Sequence, residues 1–156
     1  MRKRSKYRPR NVIVNPIGYV IENMTPITQH DSFAVDLRLK NHLALTMLTQ
    51  GKAAKSDMDV IISALNMTES LWRLGFGKEY RQEVDAGLRA LRSVGGRGIK
   101  SGKFILNAAE MSAINAAMEL HDAQLDVITV KDMDSALQIV YAEMKHKRAT
   151  PIKEIA

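Results

Sequence analysis

From Ser32 onward, apolar residues recur with the 3.6-residue period of amphipathic α-helices. The pattern predicts five helices with short connections, and therefore an all-α bundle. The first predicted helix covers about 32–50 and carries two apolar rows, so we expect it to lie at the centre of the bundle. The two rows are Phe33, Leu37, Ala44 and Leu48, and Val35, Leu39, Leu43 and Met47.

Capping residues delimit the other four predicted helices. A side-chain acceptor followed three residues later by an acid is typical of a helix N-terminus. The second helix is predicted to stop at Gly75 and the third at Gly95. The acceptor and acid pairs are Ser56 with Asp59, Asn107 with Glu110, and Thr129 with Asp132. The residues expected to point inward are Ile61, Leu65, Leu71 and Trp72, then Tyr80, Val84, Leu88, Leu91 and Val94, then Met111, Ile114, Met118, His121, Leu125 and Ile128, and last Met133, Leu137, Val140 and Met144.

The N-terminal part of the chain lacks this helical period. Like charges repel within the first ten residues and Pro9 biases Arg8 away from helix, which predicts a flexible basic arm. The next segment alternates short apolar groups with Asn, Gly and Pro, and we expect an irregular strap over the core, partly β and not helical. The predicted divisions are an arm at 1–10, a strap at 11–31, a helical bundle domain at 32–148 and a short tail at 149–156.

The composition is that of a single globular domain, with 156 residues, 46% hydrophobic and 26% charged. The absence of cysteine excludes disulfides, thiolate nucleophiles and cysteine-ligated metal sites, and favours a reducing cytoplasm. Asn15 and Pro16 interrupt the apolar run after the basic start, so we expect no export signal. No run of 18 apolar residues occurs, and we predict no membrane association.

Positive charge is concentrated in the arm. The chain has 23 Lys and Arg against 17 Asp and Glu, and six of the cations lie in residues 1–10, so the remainder is balanced at 17 against 17. Two further basic clusters leave the rest of the helical body acidic. The arm cations are Arg2, Lys3, Arg4, Lys6, Arg8 and Arg10, and the other clusters are Arg89, Arg92, Arg97, Lys100 and Lys103, and Lys145, Lys147, Arg148 and Lys153.

This segregation of charge favours an anionic partner, with nucleic acid as the first candidate. Tyr7 adds one aromatic face that can stack on a base. The alternative is that the arm folds back onto the acidic face of its own chain. We find no convincing helix-turn-helix, because no helix-to-helix joint is followed by an exposed face of base-reading residues.

The stretch VGGRGIKSGK carries the second basic cluster. It is not a nucleotide-binding P-loop, because Arg97 stands where the first glycine of that motif belongs. Residues 95–98 match the G-x-x-G of KH domains, which clamps nucleic-acid backbone between two helices, although no strands are predicted nearby. A C-cap glycine followed by a flexible loop is the favoured interpretation. In either case the backbone N–H groups and cations are suited to receive a phosphate.

The histidines could take part in catalysis or metal binding only if the helices that carry them are in contact. His42 and His121 would then form a catalytic or metal pair, but Glu119 and His121 are two residues apart and point to different faces. A buried, hydrogen-bonded His121 is therefore the favoured interpretation. The acids Glu119, Asp122 and Asp126 form a row typical of a solvated face. We predict no catalytic residues, cofactor or metal, and no enzymatic activity.

The segments RKRSKYRPR, LRLKNHLAL and AMELHDAQLDVITVKDMDSAL resemble small proteins, functionally uncharacterised, that are encoded by bacteriophages and prophages of Gram-negative bacteria. The resemblance covers most of the chain and carries no site chemistry. It implies a location in the cytoplasm of a bacterial host cell. It also implies one of two roles, nucleic-acid binding or the inhibition of a host protein.

The sequence thus predicts a non-enzymatic protein that binds nucleic-acid backbone independently of sequence, with the body positioning or dimerising the unit. The alternative is a protein-interaction module, an inhibitor or adaptor that docks its arm on an acidic host protein surface; an exposed apolar helix face would favour it. The predicted nucleic-acid-binding residues are Arg2, Lys3, Arg4, Lys6, Tyr7, Arg8, Arg10, Arg97, Lys100 and Lys103.

Overall fold

The computed structural model describes residues 15–30 and 32–146, which fold into six α-helices. The predicted all-α class is confirmed, since the only β-type pairing among these residues is an isolated antiparallel bridge between Pro26 and Thr129. The predicted arm and tail lie outside the described residues. The helices are α1 Pro16–Met24, α2 Phe33–Thr49, α3 Lys55–Leu74, α4 Arg81–Ser101, α5 Ala108–Val127 and α6 Val130–Lys145, with short 3-10 turns at Ile27–Gln29 and Lys78–Tyr80.

Helix α1 corrects the prediction of a non-helical strap. The side chain of Asn15 accepts the N–H of Gly18 at 3.0 Å and caps the helix, and Pro16 occupies the first turn, where it suits a helix. The apolar residues of α1 do have helical spacing, which the prediction of a strap overlooked. In the structure they face solvent rather than the core. They are Ile17, Val20, Ile21 and Met24, with 53–74% of each residue exposed.

The central helix is α3, which packs against α2, α4, α5 and α6. The predicted central position of the first bundle helix is wrong, because only one of the two apolar faces of α2 is covered. Ala44 and Leu48 are buried on that face. The other row remains in solvent; it contains Val35, Leu39 and Leu43, which are 63–65% exposed.

The core consists of two clusters that share α2, α3 and α5. The first also contains residues of α4, and the second also contains residues of α6 and Ile27. Most residues predicted to point inward are buried or half-buried, but Tyr80, Met111 and Met144 are exposed. The largest fully buried side chains of the two clusters are Leu48, Ile61, Leu65, Ile114 and Met118, and Ile27, Leu71, Leu125 and Ile128.

The observed helix ends match the predicted ones where the capping residues are close neighbours in the sequence. Asn107 with Glu110 and Thr129 with Asp132 form the predicted capping boxes of α5 and α6. Gly75 ends α3 in the left-handed conformation, as predicted. The start of α3 differs, because the helix begins at Lys55 and Asp57 accepts the backbone N–H of Ala54 at 2.7 Å. Ser56 and Asp59 are therefore not the cap pair.

Helix α4 continues through the glycine-rich stretch to Ser101, and Gly102 caps it with a positive φ. The predicted end at Gly95, the flexible loop and the KH-like clamp are therefore wrong. At Gly87 and Gly98 of this helix, neighbouring groups approach too closely for a side chain. A Cβ at Gly98 would overlap the ring of Phe104. Tertiary packing thus outweighs the low helix propensity of glycine.

We expect Gly87→Ala to destabilise the protein by up to about 2 kcal/mol. A Cβ at Gly87 would lie 2.5 Å from the Cβ of Ala117, so α4 and α5 would have to separate. Overpacking of this kind costs about 1–3 kcal/mol and outweighs the helix propensity gained, which is about 1 kcal/mol. Urea denaturation measures the effect. The double variant Gly87→Ala/Ala117→Gly, which moves the methyl group to the facing helix, should recover most of the loss, and a more stable single variant would contradict the close contact.

None of the helices within 15–30 and 32–146 has the length and apolar character needed to span a bilayer.

Candidate nucleic-acid interface

The second half of α4 and the connection to α5 carry basic side chains and no acid from residue 86 to residue 109. The structure brings three of the predicted binding residues together, because Arg97, Lys100 and Lys103 line one shallow pocket of about 370 Å³. Ser101 and Ile105 complete the pocket. We call Arg97, Lys100 and Lys103 the basic end of α4. Cations at this position also stabilise the negative end of the helix dipole.

Arg97 differs from the two lysines because its guanidinium is held by Glu110. Nη1 and Nη2 of Arg97 donate to the two carboxylate oxygens of Glu110 at 2.7 and 2.6 Å, and Nη2 also donates to the carbonyl of Ile105 at 3.1 Å. The carboxylate is buried and further accepts the Ser93 hydroxyl at 2.9 Å and the N–H of Asn107 at 3.0 Å. This cluster fixes the connection between α4 and α5.

The Arg97–Glu110 pair sets the electrostatics of the site. Hydrogen bonding from Arg97 is the main reason that the pKa of Glu110 is lowered to about 2, and the carboxylate in turn raises the pKa of Arg97. The pair contributes no net charge. The positive charge of this part of α4 therefore comes from Arg89, Arg92, Lys100 and Lys103, all of which are exposed.

The remaining predicted binding residues lie in the arm, outside the described part of the chain. Residues 15–30 and 32–146 contain 14 Lys and Arg against 15 Asp and Glu, a net charge of −1. The undescribed residues contain the other nine cations and two acids of the full sequence. The net positive charge of the protein is therefore carried by its terminal segments, and the described body offers only local basic surfaces.

His42 and His121 lie on touching helices but have separate partners. His42 Nε2 is 2.6 Å from Asp122 Oδ2, and Arg38 Nη2 donates to Asp126 Oδ1 at 2.5 Å. These contacts join α2 to α5. Asp122 and Asp126 therefore bind side chains of α2, whereas the sequence predicts that they only face solvent. No signal in the sequence pairs α2 with this face of α5.

His121 is buried and hydrogen-bonded, as the favoured interpretation predicts. Its Nδ1 lies 3.1 Å from Thr68 Oγ1, whose hydroxyl lies 3.0 Å from the carbonyl of Ala64. The carbonyl can only accept, so the hydroxyl donates to it and Nδ1–H donates to Thr68. Nε2 is then an unprotonated nitrogen without a hydrogen-bond partner among the described residues. Burial is the main reason that the pKa of His121 is lowered to about 4.

Within the described ranges, no three or more His, Cys, Asp and Glu side chains are grouped so that they could hold a metal ion.

Comparison of the chain with protein-family models, with curated proteins and with solved structures found no match.

Proposed function

We propose that the protein is a non-enzymatic, phage-type accessory protein that holds nucleic-acid backbone through its basic N-terminal arm and the basic end of α4. One observation of the structure supports this most strongly. The acid-free stretch 86–109 gathers Arg97, Lys100 and Lys103 around one pocket, and the first acid after it, Glu110, is neutralised by Arg97. A phosphate that approaches this end of α4 meets no uncompensated carboxylate from that stretch.

The parts of the interface have different roles in this proposal. Lys100 and Lys103 act as point charges for phosphate oxygens, and Arg97 shields the site from Glu110. The arm adds six cations and Tyr7, which together neutralise phosphates and stack on bases. Contacts to phosphate position a protein on nucleic acid without reading its sequence, so we expect binding to be independent of sequence.

The test is fluorescence anisotropy with labelled duplex DNA, single-stranded DNA and RNA at two salt concentrations. If the arm neutralises about five phosphates and Lys100 and Lys103 neutralise about two more, log Kd against log salt for duplex DNA has a slope with a magnitude of roughly 6, which falls to about 2 when residues 1–10 are removed. Lys100→Ala/Lys103→Ala should reduce that magnitude by about 2. The matched control is Lys40→Ala/Lys131→Ala, which removes two exposed cations elsewhere and should leave the slope unchanged.

Two results would contradict the proposal. The first is an intact chain that fails to bind any of the three nucleic acids at low salt. The second is an equal reduction in slope for both lysine pairs, which would mean that overall charge, rather than the basic end of α4, controls binding.

A second candidate function is a protein-interaction module, an inhibitor or adaptor of a host bacterial protein. The observation that favours it is the exposed apolar row of α2, Val35, Leu39 and Leu43, together with the exposed apolar face of α1. Apolar rows at helical spacing fit the surface of another protein, a homodimer partner included. The two functions differ in one measurement, because nucleic-acid binding should survive scrambling of the target sequence, whereas protein docking should depend on one partner.

A further inference from the structure

A groove with an apolar floor runs between α3, α4 and α6 and encloses about 410 Å³. This volume lies in the range of about 300–1,000 Å³ that is typical of ligand clefts. Its lining comes from all three helices, and all of it except Ser70 and Leu91 is half-buried or exposed. The apolar residues used below are Ile62, Leu88, Ile139, Val140 and Met144.

The charges along one part of this α3–α4–α6 groove are paired within the protein. Arg73 donates to Glu69 at 2.9 Å and to Glu143 at 3.3 Å. Arg81 pairs with Asp85 at 2.7 Å and lies over the ring of Trp72, 4.3 Å from its centroid. A ligand does not need to neutralise these groups.

Arg89 and Arg92 line the same groove and are exposed. Neither forms a hydrogen bond or an ion pair with a described residue, in contrast to Arg73 and Arg81. They are three residues apart on α4, so their guanidinium groups lie on one face of the helix. The groove therefore combines an apolar floor with two unpaired cations at one part of its rim.

We propose that the α3–α4–α6 groove binds an acidic amphipathic helix of a protein partner. Apolar side chains of the partner would pack on the floor, and an Asp or Glu beside them would accept hydrogen bonds from Arg89 and Arg92. Charge complementarity selects this occupant. Binding here goes beyond nucleic-acid binding and does not depend on it.

Nucleic acid fits the same groove less well. Its carboxylates, Glu69, Asp85 and Glu143, are paired with Arg73 and Arg81. Only Arg89 and Arg92 are therefore left for phosphate, and a phosphate backbone has no apolar groups to pack on the floor. None of the described residues that line it is aromatic, so it offers no surface on which a base can stack. Lys100 is eight residues beyond Arg92, about 12 Å along the helix axis, so the groove can be tested separately from the basic end of α4.

The test is a selection from a displayed library of random peptides with the full-length chain as target. We expect the enriched peptides to combine two or more apolar residues at helical spacing with at least one Asp or Glu. A synthetic copy of one enriched peptide is then measured by anisotropy. Arg89→Gln/Arg92→Gln should weaken its binding about tenfold or more, and the matched Lys100→Gln/Lys103→Gln should leave it nearly unchanged.

Methyl NMR locates the peptide. The peptide should shift the methyl signals of Ile62, Ile139 and Met144, which belong to the floor. The proposal is overturned if no peptide of this chemistry is enriched, if the two double variants weaken binding equally, or if these three methyl signals do not move. It is also overturned if duplex DNA shifts the same methyl signals, because the groove would then belong to the nucleic-acid interface.

Discussion

Replacement of Glu110 by alanine should lower the free energy of unfolding by about 3 kcal/mol at pH 7. The carboxylate is buried and accepts hydrogen bonds from Arg97, Ser93 and the N–H of Asn107. These partners favour its charged form and lower its pKa from 4.5 to about 2. A shift of this size corresponds to roughly 3 kcal/mol of stability.

The sign of the pH dependence follows from the lowered pKa. The unfolded chain binds the proton more tightly than the folded protein, so the contribution of Glu110 is fully present above pH 4.5 and is lost as the pH falls towards 2. Urea denaturation of the wild type and of Glu110→Ala should therefore give a large difference at pH 7 that shrinks steadily below pH 4.5. Glu119→Ala, which removes an exposed acid from the same helix, is the control and should change stability little.

The same pair links stability to the proposed interface. Glu110→Gln leaves Arg97 without a charged partner and adds one net positive charge beside Lys100 and Lys103. We therefore expect it to weaken folding and to strengthen nucleic-acid binding, two effects with opposite signs. If Glu110→Ala and Glu110→Gln both leave stability unchanged at pH 7, the Arg97–Glu110 pair does not hold the α4–α5 connection as described.

Local signals account for the parts of the fold that the sequence predicts correctly. The capping boxes at Asn107 and Thr129 satisfy backbone N–H groups within one turn, so neighbouring residues alone determine them. The all-α class follows in the same way from the repeat of apolar residues. Gly75 ends α3 because it adopts a positive φ at the C-cap.

Long-range packing explains the differences. From the sequence alone, glycines 95, 96 and 98 predict the end of a helix. In the structure they lie buried inside α4, and Gly98 allows the ring of Phe104 to approach. The apolar row of Val35, Leu39 and Leu43 has the spacing of a core face, and spacing alone does not reveal that no other helix covers it. The periodicity of a helix gives its apolar faces, but the arrangement of its neighbours decides which of them is buried.

Only part of the candidate site can be predicted from the sequence, because long-range packing determines the rest. The cluster of cations between residues 86 and 109 is visible in the sequence, and so is Glu110 as a capping acid. The bidentate contact between Arg97 and Glu110 depends on how the connection after Gly102 turns back along α4. Sequence reasoning therefore treats Arg97 as a phosphate ligand, whereas the structure engages its guanidinium within the protein.

Protonation of His121 should be the main source of acid sensitivity above pH 4. The side chain is 1% exposed and lies between α3 and α5, where Thr68 accepts its Nδ1–H. Asp122, Arg38 and His42 are the charged and titratable groups that act on it. Burial outweighs the attraction of Asp122, and the pKa of His121 is lowered from 6.5 to about 4.

The lowered pKa means that the unfolded chain takes up a proton on this residue before the folded protein does. Stability is therefore highest above pH 6.5 and falls by roughly 3 kcal/mol as the pH drops towards 4. His121→Met, which fills the site with an apolar side chain of similar size, should remove most of this fall, although it also loses the contact with Thr68. His146→Gln replaces an exposed histidine and should leave the pH profile unchanged.

Urea denaturation at intervals between pH 7.5 and pH 4 measures the profile, and an NMR titration of the imidazole signals gives the pKa directly. A ring that titrates near 6.5 would show that His121 is hydrated in the folded protein. A His121→Met variant that keeps the full loss of stability would place the acid-sensitive group elsewhere. Agreement of the two measurements would show that the buried contact between α3 and α5 tolerates only the neutral imidazole.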